Sequence, residues 1–231
     1  MIAAVHRWRH LLLLGVLLLT LITQPLVGHA SQALKLAFDL LVVGVAVVAF
    51  LVVFRAPWER RVAAAFAVPI AALALAEHVL PAGWFVRVAV AYHVFSALFL
   101  GFAVAVLVRD IFQRSAISSD EVVGAFAGYL LLGIMWGNLF AILEVLAPGA
   151  FSVNPDIRWQ LEDWHLRRAL FNYFSFATMA SLGYNDITPI APIANTLSWI
   201  EVMSAQFYHA VVIAQIIGLK LARAVRSGGA G

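Results

Sequence analysis

Six long apolar runs constrain the fold of this chain of 231 residues more than any other feature of its sequence. They lie at about 10–27, 33–54, 62–80, 84–108, 122–146 and 195–221. A helix needs roughly 20 apolar residues to cross a hydrocarbon core about 30 Å thick, and each run is close to or above that length. The composition agrees, because 64% of the residues are apolar and only 12% are charged. The sequence therefore predicts an all-α integral membrane protein with six transmembrane helices.

The first run has a second interpretation. Arg7 and Arg9 precede a leucine-rich stretch that ends in Val27-Gly28-His29-Ala30, and this pattern is also typical of a cleaved signal peptide. A retained span is the preferred interpretation, because ten of the 15 Lys and Arg residues then fall on the side of the N-terminus. By the positive-inside rule this distribution predicts that both termini lie in the cytoplasm. The expected location is the cell (inner) membrane.

Several classes of protein are disfavoured by the composition. The absence of cysteine excludes disulfides, thiolate metal sites and cysteine nucleophiles. The net charge of +3 sits in short basic clusters, which is typical of membrane topology and not of nucleic-acid binding. No nucleophile–base constellation or phosphate loop is present, and His78, His93 and His209 form no repeated haem-ligand pattern. We therefore expect no enzymatic activity, no cofactor and no nucleic-acid partner.

A shorter segment between the fifth and sixth runs has a different character. Residues Asp163 to Met179 are aromatic-rich and amphipathic, and Ser181-Leu-Gly-Tyr-Asn-Asp186 follows them. Non-helical backbone cannot face lipid, since each unpaired N–H or C=O costs several kcal/mol there. The spacing predicts a re-entrant helix and a loop that is buried in protein or lines an aqueous path. The carbonyl end of such a helix favours a cation.

This segment resembles the pore helix and selectivity filter of the potassium-channel family, whose pattern is roughly T-x-x-T-V-G-Y-G-D-x-x-P. Here the pattern reads Thr178-Met-Ala-Ser-Leu-Gly-Tyr-Asn-Asp-Ile-Thr-Pro189, and the resemblance covers roughly 165–221, a quarter of the chain. It implies a homotetramer in membrane lipid, in which filter carbonyls replace the hydration shell of a potassium ion. The implied K⁺ ligands are Ser181, Leu182, Gly183 and Tyr184.

Two residues depart from the family pattern in ways that matter. Asn185 replaces the second filter glycine, which has φ > 0, a conformation in which Asn is tolerated better than most residues. Two outcomes stay open, a potassium channel or a weakly selective monovalent-cation channel. Tyr173 stands where the family often has a tryptophan that braces the filter, and we expect it to bond to Asp186 in that role. A non-conducting membrane subunit with a degenerate pore fold is the alternative from another class.

Further residues outside the filter are candidates for a role. By the resemblance, Thr178 joins Tyr173 and Asp186 as filter support. Glu201 is a candidate because an ionisable group at this depth of a span is a functional-site candidate by default, and it either braces the filter region or faces the ion path. The inner-helix gate candidates are Ala205, His209 and Gly218. Ala205 stands at the family's hinge glycine, which implies a stiffer helix, and His209 is either a proton sensor or a packing residue.

The chain divides into three predicted parts. Residues 1–115 form a four-span peripheral domain without voltage-sensor arginines, 116–226 form the pore domain, and 227–231 form a disordered tail. Two small-xxx-small pairs in the fifth span, Gly124/Gly128 and Gly133/Gly137, predict that this helix has partners on opposite sides. Near the outer ends, Glu77 and Asp39 are candidates to pair with Lys35 or Arg87.

Overall fold

The computed structural model describes residues 9–28, 30–76, 79, 81–113 and 119–228 of the chain. Most of them belong to seven helices, which are α1 (Arg9–Thr23), α2 (Gln32–Val53), α3 (Pro57–Ala76), α4 (Phe85–Phe112), α5 (Ser119–Leu146), α6 (Trp164–Met179) and α7 (Pro192–Gly228). Short 3₁₀ turns lie at Gln24–Leu26, Ala82–Trp84 and Arg158–Leu161. The predicted helical fold class is confirmed at this level.

A small antiparallel ribbon, absent from the prediction, joins the residues before α6 to the residues after it. Strand β1 (Phe151–Val153) precedes α6, and strand β2 (Ile187–Pro189) follows it. Their register pairs Phe151 with Pro189 and Val153 with Ile187. The ribbon therefore fixes the residues after the loop against the residues that follow α5.

Five helical segments in the described part of the chain are long and apolar enough to cross a membrane. They are Arg9–Leu26, Gln32–Val53, Phe85–Phe112, Ser119–Leu146 and Pro192–Gly218. The predicted third span, 62–80, corresponds to α3, which is not among the five because Glu59, Arg60 and Arg61 charge its first turns. The long apolar helices indicate a membrane-embedded protein, since lipid is the solvent that such surfaces match.

Helix α5 lies at the centre of the bundle and contacts α1, α4, α6 and α7. Four glycines of α5 face these neighbours, and a Cβ on each would approach or overlap one of them. Gly124 faces His10 of α1, Gly128 faces Tyr208 of α7, and Gly133 and Gly137 face Phe176 and Asn172 of α6. The expectation of partners on both sides of this helix is confirmed.

Two hydrophobic clusters meet along α5. One combines residues of α1 to α5, with Leu13 and Leu131 fully buried. The other combines α5, the ribbon, α6 and α7 around the fully buried rings of Phe140 and Phe171. Helix α7 continues to Gly228, so residues 227 and 228 of the expected tail are helical, and 229–231 lie outside the described residues.

Candidate functional site

The start of α6 is fixed by Asp163. Its carboxylate accepts hydrogen bonds from the backbone N–H of His165 (2.8 Å) and Leu166 (3.1 Å), as an N-cap does. Lys35 Nζ of α2 donates to the same carboxylate at 2.6 Å. Burial raises the pKa of Asp163, but the bonds from Lys35 and the two N–H groups outweigh it, so that this pKa lies below its usual value. The helix is thereby anchored to the peripheral bundle by a charged carboxylate.

The end of α6 is a left-handed turn centred on Ser181. Leu182 N–H donates to Ala177 O and Ser181 N–H donates to Thr178 O, both at 2.9 Å. These two bonds, with φ of 56° at Ser181, form a Schellman cap. The cap ends the helix sharply and directs the chain into a non-helical segment. Thr178 therefore acts on the loop through its backbone carbonyl.

Residues 181–185 begin at this turn and contain the predicted selectivity filter, and they are called the filter segment below. Their φ angles are positive at Ser181 (56°), Gly183 (67°) and Asn185 (64°), but not at the residues between them. Within the described residues, no filter-segment carbonyl accepts a backbone hydrogen bond, and all five residues are exposed. The segment thus presents unpaired carbonyl oxygens.

The outer end of the filter segment is held by Asp186. Tyr173 Oη donates to Asp186 Oδ2 at 2.7 Å, which is the brace expected from the sequence. Asn154 N–H donates to the backbone O of Asp186 at 2.8 Å, beyond the end of the ribbon. The ring of Tyr173 lies parallel to the ring of Tyr184, with centroids 6.4 Å apart. Tyr173 therefore contacts the segment at both its ring and its hydroxyl.

Asn185 adopts the conformation that the sequence predicts for it. Its φ of 64° lies in the left-handed region, where Asn is among the few tolerated side chains. Its Oδ1 accepts a hydrogen bond from Thr188 Oγ1 at 2.9 Å. The amide is thus occupied locally and holds the turn between the filter segment and β2.

The ribbon behind the segment is held by a buried carboxylate that sequence reasoning assigned no structural role. Glu144, near the end of α5, accepts from Gly149 N–H at 2.9 Å and from Phe151 N–H at 3.3 Å. The Phe151 ring packs edge-on against Phe140 and Phe174. The end of α5 therefore fixes β1, which in turn fixes β2 and the loop.

Most of the predicted site residues line one cavity of about 350 Å³ on the filter-segment side of the chain. Of the predicted residues, those that line it are Tyr173, Thr178, Ser181, Gly183, Tyr184, Asn185 and Asp186. Leu182 is exposed and lies outside this lining. The predicted gate candidates lie elsewhere, so the structure separates them from the filter segment.

Glu201 and Ala205 of α7 are fully buried inside their own chain. Ser175 Oγ of α6 lies 2.5 Å from Glu201 Oε1, directly behind the cavity-lining face of α6. Of the two roles considered for Glu201, the geometry supports bracing the filter region. His209 stacks on Tyr129 with centroids 4.3 Å apart, as a packing residue does, and Gly218 is exposed.

A second ionic cluster joins α6 to the peripheral helices. Asp39 of α2 is fully buried and lies 3.2 Å from His165 Nε2 and 3.7 Å from Arg168 Nη1. Among the described residues Asp39 forms no ion pair with Lys35 or Arg87, so that this suggested pairing is wrong; α6 supplies two partners of Asp39, and Lys35 contacts Asp163. Arg87 lies over the Trp84 ring, and Glu77 and His78 are outside the described residues.

Comparison of the chain with protein-family models, curated proteins and solved structures found no match.

Proposed function

We propose that this chain is the subunit of a homotetrameric pore-loop channel that conducts potassium ions passively across a membrane. In this proposal each chain has six spans, α6 is a re-entrant pore helix, residues 181–185 form the selectivity filter, and α7 is the inner helix. The proposed location is the cell (inner) membrane. The excess of Lys and Arg on the N-terminal side favours cytoplasmic termini.

The unpaired carbonyls of the filter segment carry this proposal. A non-helical backbone segment among apolar helices is costly unless its polar groups find partners. Within the described residues, no carbonyl of the filter segment accepts a backbone hydrogen bond. Rows of carbonyl oxygens are the groups that replace the hydration shell of a potassium ion. A permeant cation is therefore the partner that best fits these oxygens.

One chain supplies oxygens on only one side of an ion. A closed shell needs several copies around an axis, and closed cyclic symmetry is the usual way for identical chains to meet. The exposed apolar residues of α7, such as Met203 and Phe207, offer surface for neighbouring chains around that axis. The number of four chains comes from the resemblance of the filter sequence to the potassium-channel pattern, which implies a homotetramer.

The conformation of Asn185 favours potassium selectivity over weak selectivity. Weak selectivity is expected if a side chain at this position opens the outer end of the filter. Asn185 instead has the positive φ of the glycine it replaces, and its amide bonds to Thr188. The backbone that would surround the ion is therefore kept.

Flux measurements in liposomes test the proposal. Purified protein is reconstituted, and ion uptake is followed under potassium and sodium gradients of equal size. We expect potassium uptake to exceed sodium uptake, and native mass spectrometry to find four chains. Gly183→Ala should abolish uptake, because Gly183 has φ of 67° inside the filter segment. Gly149→Ala is the matched control, since Gly149 has φ of 88° in the outer loop, with no atom within 4 Å of an added Cβ.

The alternatives give different results in the same experiment. Equal potassium and sodium uptake, with selectivity gained in Asn185→Gly, would establish a weakly selective cation channel. A monomer or dimer without uptake in any gradient would establish a non-conducting membrane subunit. Uptake that Gly183→Ala leaves unchanged would place the ion path away from the filter segment.

A further inference from the structure

Glu201 has an unusual environment for an ionisable side chain. It lies on α7 and is fully buried. Its Oε1 is 2.5 Å from Ser175 Oγ, whereas its Oε2 has no hydrogen-bond partner among the described residues. No Lys, Arg or His side chain in the described part of the chain forms an ion pair with it. A carboxylate anion would therefore be buried without a counter-charge, which is very costly.

The partner of Glu201 limits which proton arrangement is possible. Ser175 Oγ is fully buried and lies 2.8 Å from Gly133 O as well as 2.5 Å from Glu201 Oε1. A hydroxyl has a single proton to donate and two lone pairs that accept. If Glu201 were ionised, its oxygen and the Gly133 carbonyl would compete for that one proton. If Glu201 carries a proton, Glu201 donates to Ser175 and Ser175 donates to Gly133, so that both contacts are satisfied.

We propose that Glu201 is held as the neutral carboxylic acid and positions the filter through a directed hydrogen-bond chain from Glu201 to Ser175 to Gly133. The proposal rests on the channel function above and adds a positioning residue to it. These hydrogen bonds connect three helices, because Glu201 belongs to α7, Ser175 to α6 and Gly133 to α5. Ser175 lies six residues before Ser181. The hydrogen bonds of Ser175 therefore fix the rotation and the axial position of the end of α6 that precedes the filter segment.

Neighbouring contacts hold Glu201 in place for this task. Its backbone O accepts from Ser204 Oγ at 2.8 Å, and Ser204 accepts from Trp136 Nε1 of α5 at 3.0 Å. Tyr129 of α5 is stacked on His209 of α7. The α7 turn that carries Glu201 is therefore tied to α5 independently of the Glu201 side chain, so that variants of that side chain can fold.

Infrared spectroscopy of the reconstituted protein at pH 7 tests the protonation state without any ion flux. We expect a carbonyl stretch of a protonated carboxyl group in the wild type, and its loss in Glu201→Gln. Asp186→Asn, the control, should leave the band in place. Ser175→Ala should shift the band, because it removes the acceptor of the Glu201 proton. The absence of the band at pH 7, or its persistence in Glu201→Gln, would overturn the proposal.

Ion flux tests the positioning role separately. Glu201→Gln keeps a donor at the same place, so that its preference for potassium over sodium should stay within about twofold of the wild type. Glu201→Ala should lower that preference by about tenfold, the scale of one lost buried hydrogen bond. Thr196→Val is the control, since Thr196 Oγ1 bonds, within the described part of the chain, only to Pro192 O of its own helix.

A failure of the Glu201 inference can be distinguished from a failure of the proposed channel function. Equal loss of potassium preference in Glu201→Gln and Glu201→Ala would show that the anion is the working form, and would overturn this inference alone. A wild type that transports no ion would overturn the channel function, while the infrared band would still report whether Glu201 is neutral.

Discussion

Two residues of the filter segment, Ser181 and Asn185, matter through their backbone conformation. Ser181 ends α6 in a left-handed turn, and Asn185 repeats that conformation at the outer end. The sequence was informative at Asn185, because a family glycine marks the position as one of positive φ. It was not informative at Ser181, because a serine is not typical of the left-handed position of a Schellman cap. The role of Ser181 in ending α6 depends on the hydrogen bonds of that helix, which the sequence motif does not indicate.

Asn185 leads to a prediction about stability. Asn185→Ala should destabilise the protein by about 1–2 kcal/mol, because alanine in the left-handed region crowds the following carbonyl and lacks an amide to bond locally. Asn185→Gly should be close to neutral, since glycine adopts this conformation freely. Thermal unfolding in detergent measures both variants. Equal stability of the alanine and glycine variants would contradict the strained-backbone explanation.

Tyr173 leads to a second prediction at this scale. Tyr173→Phe removes the hydroxyl that donates to Asp186 and keeps the ring beside Tyr184. We expect a loss of about 1 kcal/mol in stability, the scale of one partly exposed hydrogen bond, and a lower preference for potassium. Unfolding in detergent and liposome flux measure the two effects. Thr23→Val is the control, because the Thr23 hydroxyl bonds, among the residues that the structure describes, only to backbone oxygens of its own helix. If Tyr173→Phe kept the stability and the potassium preference of the wild type, the Tyr173 hydroxyl would not brace the filter segment.

Among the elements, α5 and α6 form the interface that positions the filter segment. A Cβ on Gly137 would lie 3.1 Å from the Cα and 3.2 Å from the N of Asn172 in the α6 backbone. Backbone cannot move aside as a flexible side chain can. The close approach of these helices therefore depends on the absence of a side chain at Gly137.

Gly137→Ala should consequently separate α5 from α6. We expect a destabilisation of about 1–3 kcal/mol, as for other overpacked interiors, together with reduced ion flux. Gly15→Ala in α1 is the matched control, since an added Cβ there meets no atom within 4 Å. That control should stabilise its helix by about 0.5–1 kcal/mol. The prediction about the α5–α6 interface is wrong if Gly137→Ala melts at the temperature of the wild type.

The elements also show where sequence reasoning reaches its limit. The long apolar helices were predictable, because lipid imposes their length and composition. The ribbon was not, because β1 and β2 are three residues each and pair across the whole of α6. Nor was the contact of Asp39 with His165, whose partners are 126 residues apart in the chain. Local pattern indicates that a residue is buried and charged, but not which distant residue meets it.

In the whole molecule, the peripheral helices contact the filter-bearing part at the start of α6. Helix α2 supplies Lys35 to the cap residue Asp163 and Asp39 to His165 and Arg168. The Arg168 guanidinium also lies over the Tyr92 ring of α4 at 4.7 Å. A displacement of α2 would therefore act on α6, whose other end carries the filter segment. The contacts of Lys35, Asp39 and Tyr92 thus connect the peripheral helices to the helix that precedes the filter segment.

The link through Asp163 predicts how the stability of the whole protein depends on pH. The folded protein lowers the pKa of Asp163, so that its stabilisation is complete above the unfolded value of about 3.9 and is lost as pH falls through the folded pKa. Unfolding in detergent from pH 6 down to about pH 3 should show a stability that falls with acid, and Asp163→Asn should flatten that slope. Asp156→Asn is the control, because Asp156 lies in the same outer loop and its carboxylate has no ion-pair partner in the described part of the chain. If Asp163→Asn kept the wild-type slope, the ionised cap would not be what couples α2 to α6.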